Sequence, residues 1–258
     1  MIRVDPDWWK TFFDEIYLIT DARSVCNQEL TNREVSFLEE TLELKKSDRI
    51  LDLCGGHGRH SLELGRRGYK NLMVLDYSQY LIDFGKRSAD TEGLEVKFYR
   101  GDARSTGLRD EDYTVVIVMG NSFGYFLDEE SDLQMLREMR RLLRRGGRVL
   151  LDLTDGEFLI NNFHPISWHK ANEDITVYRL RELGGALVRA REVVLSKRRG
   201  VIKDWVYCER LYDGSRISRL LDGVGFGEIK VRKNLSFHQQ KADYGFMTSR
   251  MIVTGRRL

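Results

Sequence analysis

From residue 49 to residue 153 short apolar runs alternate with stretches whose apolar positions recur at helical spacing. Val115-Val116-Ile117-Val118-Met119 is apolar at every position, the pattern of a strand buried on both faces. Around it the pattern predicts strands at 49–54, 72–76, 95–100, 113–119 and 148–153. Helices fall between them at 58–67, 80–88 and 131–143, with Gly146-Gly147 as the stop of the last. Regular alternation of this kind predicts a parallel sheet with helices on both faces.

Before the sheet, residues 7–20 place Trp9, Phe12, Phe13 and Ile16 at three- and four-residue spacings, an amphipathic helix with an aromatic face. A second helix is expected from Thr31 or Asn32 to about Leu44. After Leu153 the rhythm changes. Residues 175–181, 186–196 and 201–211 are β-rich and separated by Gly184-Gly185 and Lys197-Arg198-Arg199-Gly200, which reads as two successive hairpins. A helix at 215–223 and strands at 228–231 and 250–254 close the chain. The expected organisation is a single domain over 1–258: an N-terminal helical lid (1–45), a core (46–155 and 214–258) and an antiparallel β cap inserted at 156–213.

The first strand breaks into Leu53-Cys54-Gly55-Gly56-His57-Gly58 and then into a helix. Glycines at such a turn permit positive φ and close approach of a ligand to the backbone. The helix beyond presents free N–H groups to it. Two ligands use this layout, a nicotinamide dinucleotide or S-adenosylmethionine. The dinucleotide fingerprint requires a third glycine where Arg59-His60-Ser61 stands here. Asp76, closing the second strand, suits ribose hydroxyls in either case.

Composition narrows the function classes. Lys+Arg 42 against Asp+Glu 40 leaves +2, so no overall field draws the chain to nucleic acid. Cys26, Cys54 and Cys208 are odd in number and scattered, which suits a reducing, cytoplasmic setting. No apolar h-region opens the chain, and the run 115–119 is far short of the roughly 20 residues of a spanning helix, so no membrane association is expected.

Four motifs in order carry a resemblance. Leu51-Asp52-Leu53-Cys54-Gly55-Gly56-His57-Gly58 is similar to the acidic-x-Gly-x-Gly-x-Gly loop of class I S-adenosylmethionine-dependent methyltransferases, with Cys54 replacing its first glycine. Leu75-Asp76-Tyr77-Ser78, Tyr99-Arg100-Gly101-Asp102-Ala103 and Leu142-Leu143-Arg144-Arg145-Gly146-Gly147 resemble the motifs that follow. The resemblance implies an α/β fold with a seven-stranded Rossmann-like sheet, order 3-2-1-4-5-7-6, strand seven antiparallel. It implies S-adenosylmethionine as cofactor, held by Tyr17, Asp52, Cys54, Gly55, Gly56, Gly58, Asp76, Tyr77, Gly101, Asp102, Ala103, Met119, Gly120 and Asn121. Asp52 would sit near the methionine ammonium, Asp76 on the ribose, Asp102 and the next amide on the adenine edge. Trp9, Phe13, Tyr125 and Phe126 are the candidates for walling the methyl acceptor.

The implied activity is transfer of a methyl group to an oxygen or nitrogen of a small molecule (EC 2.1.1), a displacement that needs alignment more than covalent catalysis. No catalytic base is identifiable: His164, His169 and His238 are candidates that nothing selects among. His57 and His60 lack a third ligand at metal spacing, so no metal is expected. Nucleic acid is an unlikely partner: Gly120-Asn121-Ser122-Phe123 stands where amine methylases of bases carry an Asn/Asp-Pro-Pro-aromatic sequence, and no Pro-Cys occurs. Arginines of the insertion leave an RNA or protein substrate as the alternative, although alternating charge in strands reads as a solvated face. A cofactor-binding protein without transferase activity is a third possibility. Val188, Val193, Leu195, Trp205 and Tyr207 offer apolar β surface for a homodimer.

Overall fold

A computed structural model describes residues 1–238 and 244–258. Its centre is strand β4 (Tyr113–Val118). Val116 and Val118 point to one face of the sheet and Val115 and Ile117 to the other, all with no exposed surface. The first pair packs against α7 (Glu129–Leu142) and α9 (Gly214–Gly223) through Met135, Leu136, Ile217 and Leu221. The second pair packs against α4 (Gln28–Leu42) and α5 (Arg59–Arg66) through Val35, Leu38, Leu42 and Leu64. Burial of each such side chain is worth about 1.5–3 kcal/mol, so the layers are held by apolar contact on both faces.

The other strands of this sheet are β1 (Ile50–Leu53), β2 (Leu72–Asp76), β3 (Val96–Arg100), β5 (Leu143–Thr154), β10 (Phe226–Leu235) and β11 (Arg250–Arg257). The order is β3-β2-β1-β4-β5-β11-β10, parallel except that β11 pairs antiparallel with both β5 and β10. This is the order the motifs imply. Helix α6 (Gln79–Glu92) runs past the expected end at Ser88, closed by Gly93 at φ 66°. Gly146-Gly147 does not stop α7: that helix ends at Leu142, and Leu143 is already extended and paired with Tyr113. The last two strands also run longer than their apolar cores suggest.

The expected single helix at 7–20 is two, α1 (Trp9–Phe12) and α2 (Glu15–Thr20), followed by α3 (Ala22–Val25). Asp14 breaks it, since its carboxylate accepts from the Ile16 and Tyr17 amides and caps α2. The β-rich segment is a four-stranded antiparallel sheet of β6 (Ile166–Lys170), β7 (Ile175–Gly184), β8 (Leu187–Ser196) and β9 (Gly200–Arg210). Strand β6 and helix α8 (Gly156–Asn161) ahead of it, at 5 and 6 residues, are too short for a period to show in the pattern. Trp8, Phe12, Trp205 and Tyr207 interlock, Phe12 lying 4.5 Å from Trp205 and 5.1 Å from Tyr207 between ring centroids. Of the residues expected to offer a homodimer face, Val188 and Tyr207 are buried, while Val193, Leu195 and Trp205 are half-buried. Among the described residues no helix is long and apolar enough to cross a membrane.

Candidate active site

The turn after β1 is built from left-handed residues: Cys54 at φ 58°, Gly56 at 58° and Gly58 at 74°. Cys54 thus adopts the conformation that the motif's missing glycine would take, at a cost of about 1–3 kcal/mol. Gly55 is required for another reason. A Cβ there would lie 2.6 Å from the Asp52 carboxyl carbon, because the loop folds directly over that side chain. Asp52 is completely buried. Its Oδ2 accepts from the Ser61 hydroxyl at 3.0 Å and its Oδ1 has no partner among the described residues. Burial pushes its carboxyl up to about 7, against the Ser61 hydrogen bond and the Arg59 charge. Asp52 and Gly58 therefore lie behind the turn and do not line the chamber in front of it; Gly58 meets Phe98 and Val74 instead.

That chamber, of about 210 Å³, opens at the carboxyl ends of β1, β2 and β4, where ligands of open α/β sheets bind. The remaining sequence candidates all line it: Cys54, Gly55, Gly56, Asp76, Tyr77, Gly101, Asp102, Ala103, Met119, Gly120 and Asn121, with Trp9, Phe13, Tyr17, Tyr125 and Phe126. Asp76 accepts from the Gly56 and Ser78 amides, each at 2.8 Å, which fixes its carboxylate at the strand end. Burial raises its pKa. Burial also favours protonation of Asp102, but the Arg104 guanidinium, at 2.6 Å, outweighs it and holds Asp102 low. Arg104 in turn lies over the rings of Phe126 and Trp9, at 4.6 and 5.2 Å. The Gly120 amide donates to Asp152 Oδ2 at 2.7 Å, and Asn121 Oδ1 accepts from the Thr154 amide at 2.7 Å, so β5 pins the loop after β4.

The cofactor motifs cluster carboxylates. Burial raises the Cys54 thiol well above its ordinary value, and the charges of Asp76, Asp102 and Asp52 add to that. A chamber with this negative field and an aromatic wall suits a molecule carrying an ammonium and a sulfonium. The donor set therefore fits S-adenosylmethionine.

Behind the turn a buried charge network joins both loops. Glu34 on α4, with no exposed surface, accepts from Arg59 and Arg250 and lies 3.0 Å from His60 Nε2. Arg250 Nε continues to Asp152 at 2.6 Å, and Asp152 holds the Gly120 amide. His60 thus has a structural partner, and His57 packs edge-on to Phe84 at 5.8 Å. Burial lowers both imidazoles to about 4, so both are neutral near pH 7. Among the described residues no group of three His, Cys, Asp or Glu side chains is arranged to hold a metal. The three histidines considered as bases stand outside this chamber: His169 bonds the Thr20 carbonyl, His164 borders a neighbouring cavity, and His238 stacks on Tyr244.

The opposite wall comes from the antiparallel sheet and was not visible as such in the sequence. Arg179, Arg181, Glu192 and Glu209, expected on a solvated face, are buried and line the chamber beside Tyr207. The signal was in the register. Arg179 and Arg181 continue the inward-facing positions of Ile175 and Val177, and Glu192 lies between Ala190 and Val194 on the same side of its strand.

Helix α6 touches the back of the glycine turn. A Cβ on Gly85 would come within 2.6 Å of the His57 carbonyl and also collide with Phe98. Alanine normally favours a helix interior by about 1 kcal/mol over glycine. Here Gly85→Ala is expected to destabilise the protein by about 1–3 kcal/mol through overpacking and to weaken ligand binding at the turn. Urea unfolding and calorimetric titration with S-adenosylhomocysteine would check both; a stabilised variant would show that α6 does not press on the loop.

Sheet order, glycine turn and acidic strand ends are those of the Rossmann-like fold of class I S-adenosylmethionine-dependent methyltransferases. Residues 50–147 match the family model described as a methyltransferase domain. The chain is 33% identical over 110 residues to demethylmenaquinone methyltransferase of Thermus thermophilus, covering 42% of this chain and 47% of that protein. It is 26% identical over 132 residues to glycine/sarcosine N-methyltransferase of Aphanothece halophytica, covering 51% of this chain and 49% of that one. The chain thus spans about half the length of the curated relatives it matches. Among solved structures, an S-adenosylmethionine-dependent methyltransferase from Clostridium acetobutylicum aligns at TM-score 0.72 and 16% identity, over 94% of this chain and 96% of that one. The sugar N-methyltransferase KedS8 from Streptoalloteichus aligns at TM-score 0.64 and 20% identity, over 88% and 87%. At these identities the structural likeness establishes the fold.

Proposed function

We propose that this protein transfers the methyl group of S-adenosylmethionine to an oxygen or nitrogen of a small molecule. The observation that carries this is the chamber itself, which has two chemically distinct walls. The glycine turn, Asp76 and Asp102 form the cofactor wall, and the antiparallel sheet with the N-terminal helices forms the acceptor wall. When bound, the cofactor supplies an electrophilic methyl carbon. The chain's own work is to align the acceptor with it and to exclude water.

Asp76 would receive the ribose hydroxyls and the Gly101–Ala103 turn would face the adenine. Gly120 and Asn121 would flank the methionine part. The half-enclosed aromatic cluster of Trp9, Phe13, Tyr17, Tyr125 and Phe126 favours a small acceptor. A long polyanion is disfavoured because Arg179 and Arg181 face inward. Cys54 is no obstacle to turnover, as its backbone already has the loop conformation. The three cysteines are unpaired, in keeping with a cytoplasmic protein. A homodimer would use the exposed strip of Ile166, Trp168, Tyr178 and Leu180, paired across β6 and β7.

Tritiated methyl transfer from S-adenosylmethionine into a metabolite extract tests the proposal. Label is expected in the small-molecule fraction. S-Adenosylhomocysteine binding with no incorporation would favour a protein that only binds the cofactor, and label in added RNA or protein would redirect the substrate class.

A further inference from the structure

The acceptor wall carries a buried carboxyl group with no ion pair among the described residues. Arg179 is committed to Glu192 at 2.6 Å and to Asp21 at 3.3 Å. Glu209, 3% exposed on β9, makes no ion pair among the described residues. Two further buried atoms of this wall lack partners among the described residues, Glu192 Oε1 and Arg181 Nε. Of the two buried acids of this wall, Glu192 is paired with Arg179, whereas Glu209 feels the Arg181 charge but forms no ion pair with it among the described residues. Burying an unpaired carboxylate is costly, so such a group marks a ligand's place or stays protonated until the ligand arrives.

Its position is informative. The Asn121 and Thr154 side chains lie beside the Glu209 carboxyl and favour its ionised form. Asn121 belongs to the loop after β4, the strip where the cofactor wall meets the acceptor wall. Tyr125 of the same loop feels the charges of both Glu209 and Cys54. Glu209 therefore faces the junction at which a methyl group would be handed over. We propose that the methyl acceptor is an amine that enters as an ammonium ion, pairs with Glu209 and gives up its proton to that carboxylate. This deepens the methyltransferase proposal and rests on it.

An alcohol would bring no charge to offset Glu209. An ammonium does, and the rings of Tyr17, Tyr125 and Tyr207 around it add cation–π attraction. Burial pushes the Glu209 carboxyl up to about 8, against the Asn121 and Thr154 side chains and the Arg181 charge. A base in that range is matched to an ammonium ion and far too weak for an alcohol. The free Arg181 Nε–H is placed to donate to an oxygen elsewhere on the same molecule.

The step balances. The ammonium proton passes to Glu209, leaving a neutral amine. Its nitrogen lone pair forms the C–N bond to the cofactor's methyl carbon as the C–S bond breaks. The bonding pair stays on sulfur, giving neutral S-adenosylhomocysteine and a methylated ammonium product. Glu209 then loses its proton to solvent.

The test uses n-butylammonium chloride against n-butanol, titrated into the protein saturated with S-adenosylhomocysteine at pH 7, in buffers of different ionisation enthalpy. The charged and titratable groups around Glu209 are Arg181 from β7, Tyr125 from the loop after β4 and Cys208 beside it on β9. Wild type is expected to bind butylammonium at least about tenfold more tightly than butanol. It should release on the order of one proton per bound cation, because a carboxyl that is largely protonated when empty is forced to ionise. E209Q, nearly isosteric and checked for folding by its S-adenosylhomocysteine binding, should lose both the preference and the proton release. Equal binding of amine and alcohol, no proton release in wild type, or a preference that survives in E209Q would each overturn the assignment. Failure of S-adenosylhomocysteine itself to bind would instead sink the methyltransferase proposal.

Discussion

Asp76→Ala is expected to weaken S-adenosylhomocysteine binding by at least about a hundredfold while leaving the fold intact. The carboxylate closes β2 at the chamber and, on the proposed function, would accept two ribose hydroxyls. Hydrogen bonds to a charged group contribute roughly 1.5–3 kcal/mol each, so losing two amounts to two orders of magnitude or more. The same carboxylate accepts the Gly56 amide at 2.8 Å, so truncation also frees the glycine turn. Asp76→Asn separates the two effects. It keeps the shape and one acceptor oxygen, and should fall between wild type and alanine. Calorimetric titration of the three proteins gives the order directly. An alanine variant with near-native affinity would remove Asp76 from the ribose site.

The largest stability effect is expected at Glu34. It lies far from the motifs in sequence, yet it is completely buried between Arg59, Arg250 and His60. Burial favours the protonated form of this carboxyl, but the two guanidinium groups overcome that and hold its pKa well below the usual carboxylate range. Glu34→Ala leaves Arg250, with no exposed surface, facing Asp152 as its one carboxylate and leaves Arg59, at the edge of the chamber, with the Thr31 hydroxyl in place of an ion pair. Removing one partner of a buried ionic network costs about 3–5 kcal/mol. For a domain of this size that lowers Tm by roughly 6–20 °C. The network holds both the turn after β1 and the loop after β4, so cofactor affinity should fall together with stability. Differential scanning calorimetry checks the first effect and titration the second. A variant melting within a degree or two of wild type would mean that water or a shifted side chain replaces Glu34 without loss.

What the sequence disclosed followed backbone demands. Gly56, Asp76 and Asp102 occupy strand ends where few residue types satisfy φ, space and charge together, so their spacing was readable. The course of β4 was readable because Val115 to Val118 are all apolar. The acceptor wall was not. Arg179, Arg181, Glu192 and Glu209 look like solvent-facing charges, and only pairing with neighbouring strands turns them inward. The break at Asp14 was hidden because the aromatic spacing continues across it, while a local side-chain cap ends the helix. Asp52 was legible as important but misplaced: its carboxyl supports the turn from behind. Gly85 carried no signal, since nothing in α6 itself shows how near the His57 carbonyl passes.

The strand-rich excursion leaves the core and returns to it at one point. The Gly156 amide donates to the Tyr212 carbonyl at 3.2 Å, and a Cβ on Gly156 would collide with that carbonyl. Much of the acceptor wall is thus encoded between Gly156 and Tyr212, a stretch separate from the one that carries Asp76, Asp102 and the glycine turn. Mutations accumulating between these two residues can reshape the acceptor wall while Asp76, Asp102 and the glycine turn stay as they are. In an evolving lineage the cofactor half and the acceptor half can then change at different tempos, with the contact between Gly156 and Tyr212 as the fixed hinge of inheritance.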